Sequence, residues 1–218
     1  MPDSLIRAGF GLRVHSGWAA LVAVARSASA PSTAPLVVDR RRIELADPKI
    51  PGSRQPYHAA AGRERGSPAR QRWTLEEAER FLTQCKDRGR LLARQALRAL
   101  IAELGAQGYD VRQCGVILGS GPPTKSIAET LASHALIHAA EGQFFREMVL
   151  NASQDCGLSI AVIRERELWA RAAAELGVSA PELERRLTEM GRPVGRPWRQ
   201  DEKYAALIAW LALGLRLH

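Results

Sequence analysis

Hydrophobic and polar residues alternate at the start of the chain. Within residues 6–14 every second position is apolar: Ile6, Ala8, Phe10, Leu12 and Val14. A period of two is the spacing of a strand with one apolar face. The Ser16-Gly17 pair is typical of a turn, and residues 18–25 are continuously apolar, which indicates a strand covered on both faces. The pattern therefore predicts an antiparallel hairpin over residues 6–25.

A third strand is predicted at residues 36–45, where Leu36-Val-Val38 and Ile43-Glu-Leu45 flank Arg40-Arg41-Arg42. So much charge favours an edge position in the sheet. Residues 46–72 are rich in proline, glycine and arginine and show no period. They predict a long basic loop.

The apolar spacing becomes helical after Thr74. Thr74-Leu-Glu-Glu77 is a capping box, and apolar residues then recur at helical spacing as far as Leu104, with Gly89 as a candidate kink. Gly142 is a candidate break in a later helix. The remaining predicted elements are strands at 109–118 and 158–163 and helices at 124–154, 165–176, 181–190 and 201–215.

This order, β-β-β-α-β-α-β-α-α-α, predicts an α/β fold. A meander followed by βα units favours a mixed five-stranded sheet flanked by helices. The 218 residues suit one domain over 1–218, with the basic loop at 46–72 and a helical segment at 165–218.

Positive charge is concentrated in the first third of the chain. The net charge is +8, and residues 1–72 alone hold 12 basic and 5 acidic side chains. A positive field attracts polyanions, so DNA or RNA is the expected partner. Arginine-rich coding bias is the alternative explanation. No apolar run approaches the roughly 20 residues of a membrane span, so no membrane partner is expected.

Cysteine usage bears on the cellular compartment. Three scattered cysteines form no Cys-x-x-Cys pair, which favours a reducing, cytoplasmic location over a disulfide scaffold. One feature suggests secretion instead, since basic residues precede the apolar stretch 18–25 and Ala28-Ser29-Ala30 follows it. Arg26 and the glycines before the stretch weigh against a signal peptide.

Two segments carry a family resemblance. Val14-His-Ser-Gly-Trp-Ala19 is similar to the opening of the Holliday-junction resolvases of the RNase H-like superfamily, and Asp201-Glu-Lys-Tyr-Ala-Ala206 resembles their closing helix. The resemblance covers most of the chain. It implies an RNase H-like fold and two-metal hydrolysis of nucleic acid by clustered carboxylates.

The expected acids are largely replaced. The resemblance places one acid on the first strand, where Arg13 and His15 stand, and another after the fourth strand, where Gly119 and Ser120 stand. A cation in such a place repels divalent ions. We therefore predict a divergent or catalytically silent nuclease relative. Its candidate catalytic residues are Asp201, Glu129, Glu141 and His15.

A second constellation lies on one predicted helix. Steps of four and three residues place His134, His138 and Glu141 on one face. Two imidazoles at this spacing can bind one metal ion, and they suit zinc or another transition ion better than magnesium. We predict these three residues as ligands of a divalent metal ion. Packed, hydrogen-bonded histidines are the alternative, and a metal- or histidine-dependent small-molecule enzyme is the second function considered.

Aromatic residues accompany the basic segments. Arginines contact phosphates while tyrosine and tryptophan faces stack on bases, whereas a solvated arginine-rich loop is the alternative. Residues 119–126 approach a phosphate-binding loop, but Thr124 replaces its second glycine, so simple anion binding assisted by Lys125 is expected. The candidate nucleic-acid-binding residues are Arg40, Arg41, Arg42, Arg54, Arg63, Arg65, Arg70, Arg72, Lys125, Arg196 and Arg199.

Two further features complete the prediction. Glu165 and Glu167 flank Arg166 at a strand end, where sites of α/β proteins often lie, although acids also begin helices for structural reasons. Nine consecutive apolar residues, 205–213, need cover on every side of their helix. They predict a homo-oligomer interface, and a homo-oligomeric structural module is the third function considered.

Overall fold

The computed structural model describes residues 5–26, 34–62, 73–121 and 125–214. Within these ranges the chain forms five strands and seven helices. The strands are β1 Ile6–His15, β2 Trp18–Ala25, β3 Leu36–Glu44, β4 Tyr109–Leu118 and β5 Ser159–Arg164. The helices are α1 Pro56–Ala60, α2 Leu75–Ala106, α3 Ile127–Ala132, α4 His134–Asp155, α5 Glu165–Leu176, α6 Ala180–Met190 and α7 Gln200–Leu213.

The five strands form one mixed sheet in the order β3-β2-β1-β4-β5. The pairs β1–β2 and β2–β3 are antiparallel, whereas β4 runs parallel to β1 and to β5. The predicted five-stranded α/β sheet with its opening meander is confirmed. Residues 18–25, considered above as a signal-peptide core, form the interior strand β2 of this sheet.

Alternation along β1 separates the two helical layers. Phe10 and Leu12 belong to a core shared with α2 and α4, while Gly9 and Gly11, which alternate with them, face α7. A Cβ atom built on Gly11 would lie 1.9 Å from the Ala205 carbonyl oxygen, and one on Gly115 would lie 2.5 Å from that of Ile208. Glycine at these two positions therefore lets the α7 backbone lie directly against the sheet.

Helix α7 is covered within the chain itself. Residues 205–213 are all buried, between the sheet on one side and α5 and α6 on the other. The apolar run therefore serves the second core and leaves no apolar surface for a partner. These residues are therefore not exposed to form the homo-oligomer interface that the sequence analysis predicted on this helix. Within the described ranges, no helix is both long and apolar enough to cross a membrane.

Two local predictions differ from the structure. The loop after β3 contains the short helix α1, which begins with Pro56 in its first turn and has Pro56, His58, Ala59 and Ala60 buried. The helix predicted at 124–154 is interrupted at Ser133, whose extended backbone (φ −121°, ψ 119°) separates α3 from α4, rather than at Gly142. Helix α2 continues through Gly89, where a Cβ would lie 2.5 Å from the Leu45 carbonyl oxygen.

Candidate nucleic-acid interface and histidine cluster

The carboxyl ends of β1, β4 and β5 meet at one edge of the sheet, where sites of α/β proteins commonly lie. Arg13 and His15 end β1 on the face covered by α7. Glu165 begins α5 directly after β5, and Asp201 lies in the first turn of α7. These four side chains form one network, which we call the edge network.

Arg13 lies at the centre of the edge network. Its Nη2 donates to Glu165 Oε1 at 2.8 Å, and its Nη1 lies 3.3 Å from Asp201 Oδ1. The same guanidinium lies over the Tyr204 ring, 4.4 Å from its centroid. His15 Nε2 is 3.0 Å from Asp201 Oδ1. The Arg13 side chain is only 15% exposed, so both carboxylates face a largely desolvated cation.

This arrangement does not suit a pair of divalent cations. Two-metal hydrolysis requires several carboxylates around two ions about 4 Å apart. Here the two nearby carboxylates are paired with Arg13, whose charge would oppose an incoming cation. Among the described residues, neither Asp201 nor Glu165 belongs to a group of three close metal-ligating side chains.

A second arginine occupies the end of β4. A Cβ atom built on Gly119 would lie 2.7 Å from Nη2 of Arg146, which reaches there from α4. Burial lowers the pKa of Arg146, and the nearby Glu165 and Glu147 act in the opposite direction. The Arg146 guanidinium therefore occupies the space that a side chain at position 119, just after β4, would need. With Arg164 and Arg166 it lines a cleft of about 560 Å³.

The predicted catalytic residues do not converge. His15 and Asp201 are in contact, whereas Glu129 and Glu141 lie on the opposite side of the sheet with α3 and α4. Glu129 is exposed and caps α3, accepting from the Ser126 hydroxyl at 2.6 Å and from its amide at 3.1 Å. These hydrogen bonds lower the pKa of Glu129. Its position is explained by capping, and it is too far from the edge network to share a metal with Asp201.

His134 and His138 are joined by a residue from α1. Ligating atoms of His58, His134 and His138 all lie within 4.8 Å of one another, and we call these three residues the histidine cluster. His58 is buried and the other two are exposed. The ring centroids of His134 and His138 are 4.5 Å apart, and that of His58 lies 4.7 Å from His138.

Glu141 lies behind the histidine cluster. Its Oε2 is 3.2 Å from His58 Nδ1, and its Oε1 accepts from the Tyr57 and His58 amides at 2.9 and 3.3 Å. Burial raises the pKa of Glu141 to about 7, despite the opposing effect of the two amides. The sequence analysis placed Glu141 among the ligands. In the structure the third residue of the histidine cluster is His58, and Glu141 contacts Nδ1 of His58.

The three arginines of β3 point in different directions. Strand alternation places Arg40 and Arg42 on the α7 side and Arg41 on the α2 side. Arg41 is paired there with Asp39 and Glu103, at 2.6 and 2.8 Å, and both carboxylates raise its pKa. The predicted patch over Arg40–Arg42 is therefore divided between two faces.

Arg40 and Arg42 border a basic surface near the edge network. Arg40 donates to the carbonyl oxygens of Gly195 and Pro197 and thereby holds the loop before α7. The Arg42 guanidinium lies 4.2 Å from the centroid of the Trp18 ring, which stacks on His15 at 4.4 Å. This surface, which we call the arginine–tryptophan surface, comprises Trp18, Arg40, Arg42, Arg199 and the adjoining Arg196. It surrounds a cleft of about 380 Å³ that Asp201 and Glu202 also line, and Arg42 is paired with Glu44 at 2.7 Å.

The other predicted basic residues are less informative. Arg54 is paired with Glu44 at 3.1 Å. Lys125, Arg196 and Arg199 are exposed. The predictions for Arg63, Arg65, Arg70 and Arg72 fall outside the described residues.

Sequence reasoning missed two functional candidates. His58 stood in a segment predicted to be irregular, although Pro56 is a signal for a helix start that could have indicated α1. Arg146 carries no sequence signal, because its role depends on the absent side chain of Gly119, which lies 27 residues earlier and on another element.

No protein-family model and no curated protein matches the chain. Among solved structures, it is similar to Thermus thermophilus RuvC in complex with a Holliday junction substrate, with 11% identity and a TM-score of 0.50 over 94% of this chain and 90% of that chain. A second structure of Thermus thermophilus RuvC gives 10% identity and a TM-score of 0.48 over 93% and 90% of the two chains. RuvC is a Holliday-junction resolvase. The chain has the RNase H-like fold that its sequence resemblance predicted.

Proposed function

We propose that this chain binds nucleic acid at the carboxyl edge of its RNase H-like sheet and does not hydrolyse it by a two-metal mechanism. The observation that carries the proposal is the contact of Arg13 with both Asp201 and Glu165. A cation held there opposes binding of divalent ions. The same edge carries the exposed cations that suit phosphates.

Three features support nucleic acid as the partner. The chain has a net charge of +8. The arginine–tryptophan surface combines guanidinium groups, which contact phosphates, with the Trp18 ring, which can stack on a base. The similar RuvC structure is a complex with a Holliday junction. The likeness to a nuclease fold does not favour a small-molecule enzyme.

Binding is tested by fluorescence anisotropy with single strands, duplexes and four-way junctions of DNA and RNA at several salt concentrations. Each lost phosphate contact reduces the slope of log K against log salt by about 0.9. Arg196→Ala with Arg199→Ala should therefore weaken binding roughly tenfold at low salt and reduce the slope by about 2. The matched control is Arg80→Ala with Arg112→Ala, two exposed arginines on α2 and at the start of β4.

Absence of binding at low salt, or an equal loss in the control pair, would contradict the proposed interface. Equal affinity for all substrates would support binding through phosphates that does not depend on junction structure.

Hydrolysis is tested with the same substrates in magnesium or manganese. We expect no cleavage above that of the Asp201→Ala variant. Robust magnesium-dependent cleavage that Asp201→Ala abolishes would overturn the non-hydrolytic part of the proposal. The predicted cytoplasmic location and homo-oligomeric state remain predictions, which fractionation and light scattering address.

A further inference from the structure

We propose that His58, His134 and His138 bind one zinc ion. The proposal goes beyond nucleic-acid binding and does not depend on it, because the histidine cluster and the edge network lie on opposite faces of the sheet. It keeps His134 and His138 from the sequence prediction and replaces Glu141, the third ligand predicted there, with His58 from a separate helix.

The helix geometry prearranges two of the three ligands. His134 and His138 are separated by one helical turn in α4, so their imidazoles project from the same side. His58 approaches them from α1, which packs against α4. Three imidazoles from two elements therefore surround one point in space.

The distances require only side-chain adjustment. In a tetrahedral zinc site with Zn–N bonds of about 2.0–2.1 Å, ligating nitrogens lie roughly 3.4 Å apart. The ligating atoms of the histidine cluster are within 4.8 Å of one another. His134 and His138 are exposed, so their rings can turn by the ångström or so that closure needs without disturbing the core.

Glu141 supplies the support that zinc-binding histidines commonly have. Metal-bound histidine usually donates its other ring N–H to a carboxylate, which fixes the tautomer and the ring orientation. Glu141 Oε2 lies 3.2 Å from Nδ1 of His58, near enough for an N–H on Nδ1 to pair with the carboxylate when Nε2 is the metal ligand. Two α1 amides hold the other oxygen of Glu141, so the carboxylate is itself oriented.

The donor set selects the kind of metal. Three neutral imidazoles suit zinc and other transition ions, whereas magnesium prefers carboxylate and water oxygens. Three protein ligands leave a fourth position for water on the exposed side. The ion would also join α1 to α4, so its binding should stabilise the folded chain.

The test uses the full chain without an affinity tag, freed of metal with a chelator and titrated with zinc chloride by calorimetry. We expect one zinc ion per chain and no response to magnesium. His134→Ala and His138→Ala should each weaken zinc binding at least tenfold. Glu141→Gln should weaken it by about 10- to 100-fold, the range seen when such supporting carboxylates are removed. His15→Ala is the matched control, since His15 lies in the edge network and should leave zinc affinity unchanged.

Two further measurements complete the test. Cobalt substitution should give the intense visible bands of a four-coordinate site, and His134→Ala with His138→Ala should abolish them. Zinc at a hundredfold excess over Kd should raise Tm by roughly 5 °C or more in the wild type and not in the double variant. Because both histidines are exposed, the metal-free variants should unfold as the wild type does. No zinc binding at micromolar concentration, or equal binding by the double variant, would overturn the proposal.

Discussion

Nη1 of Arg13 lies 3.3 Å from Oδ1 of Asp201, and this contact joins the end of the first strand to the start of the last helix. Asp201 matches an acid of the resolvase resemblance, whereas Arg13 stands where that resemblance expects another. Where the resemblance implies two acids, this chain has an ion pair. Its geometry leads to the proposal of binding without two-metal hydrolysis, and to the first prediction below.

Arg13→Met should destabilise the fold by about 1–2 kcal/mol, because it removes the charge shared by two carboxylates and the contact with the Tyr204 ring while keeping most of the side-chain volume. Urea unfolding followed by circular dichroism measures the change. Glu165→Gln should cost less, since the Glu165 side chain is 43% exposed and solvent screens its pairing. Equal stability of Arg13→Met and wild type would show that the edge network contributes nothing to folding.

Gly11→Ala should destabilise the protein by about 1–3 kcal/mol, because the new methyl group would overlap the α7 backbone at Ala205 and Ala209. Gly105→Ala is the matched control. No atom lies within 4 Å of its new Cβ, and Gly105 is inside helix α2, so this change should be neutral or stabilising by up to about 1 kcal/mol. Thermal and urea unfolding of both variants provide the comparison. If Gly11→Ala left the stability unchanged, α7 would have to shift on the sheet without cost, which would contradict this prediction.

Thr74→Ala should destabilise the protein by about 1 kcal/mol, because the Thr74 hydroxyl accepts from the Glu77 amide and caps the 32-residue helix α2. Chemical denaturation at pH 7 measures this loss. Ser126→Ala offers a comparison at the shorter helix α3, where a smaller effect is expected.

Glu77 should make a pH-dependent contribution to stability. Hydrogen bonds from the Thr74 amide and hydroxyl lower the pKa of Glu77 below its usual 4.5. Its ionised form therefore stabilises the fold above about pH 4.5, and this contribution is lost as the pH falls through the lowered pKa of the folded state. Glu77→Gln should reduce stability at pH 7, and the difference from wild type should vanish in strong acid. A pH-independent difference would contradict this assignment.

Cys85 and Cys114 should resist alkylation in the folded protein. Burial raises the pKa of each thiol to about 12, so the thiolate at pH 8 is on the order of a thousandfold scarcer than for a free cysteine. Cys156 is only partly buried and should react first. Mass spectrometry after timed iodoacetamide treatment measures the order, with unfolded protein as the control in which all three react. Rapid labelling of Cys114 in folded protein would contradict its burial.

Local pattern was enough to predict most of the fold. All five strands, the capping box at Thr74 and the mixed sheet are legible because strand and helix periods depend on near neighbours along the chain. The exceptions, α1 and the break at Ser133, are short features that give no period to detect. The apolar run 205–213 indicated burial correctly, but the pattern could not show that the chain itself supplies the cover.

The candidate sites show the same difference between what local sequence pattern predicts and what tertiary packing decides. The sequence by itself placed His134, His138 and Glu141 on one helical face, and it has a cation, Arg13, where the family resemblance implies a first-strand acid. The tertiary structure decided that His58 completes the histidine cluster, that Arg146 stands beside Gly119, and that Arg13 contacts Glu165, which is 152 residues away in sequence. The reason is physical. A helical face follows from the spacing of residues on one element, whereas a contact between elements depends on how the whole sheet and its two helical layers pack.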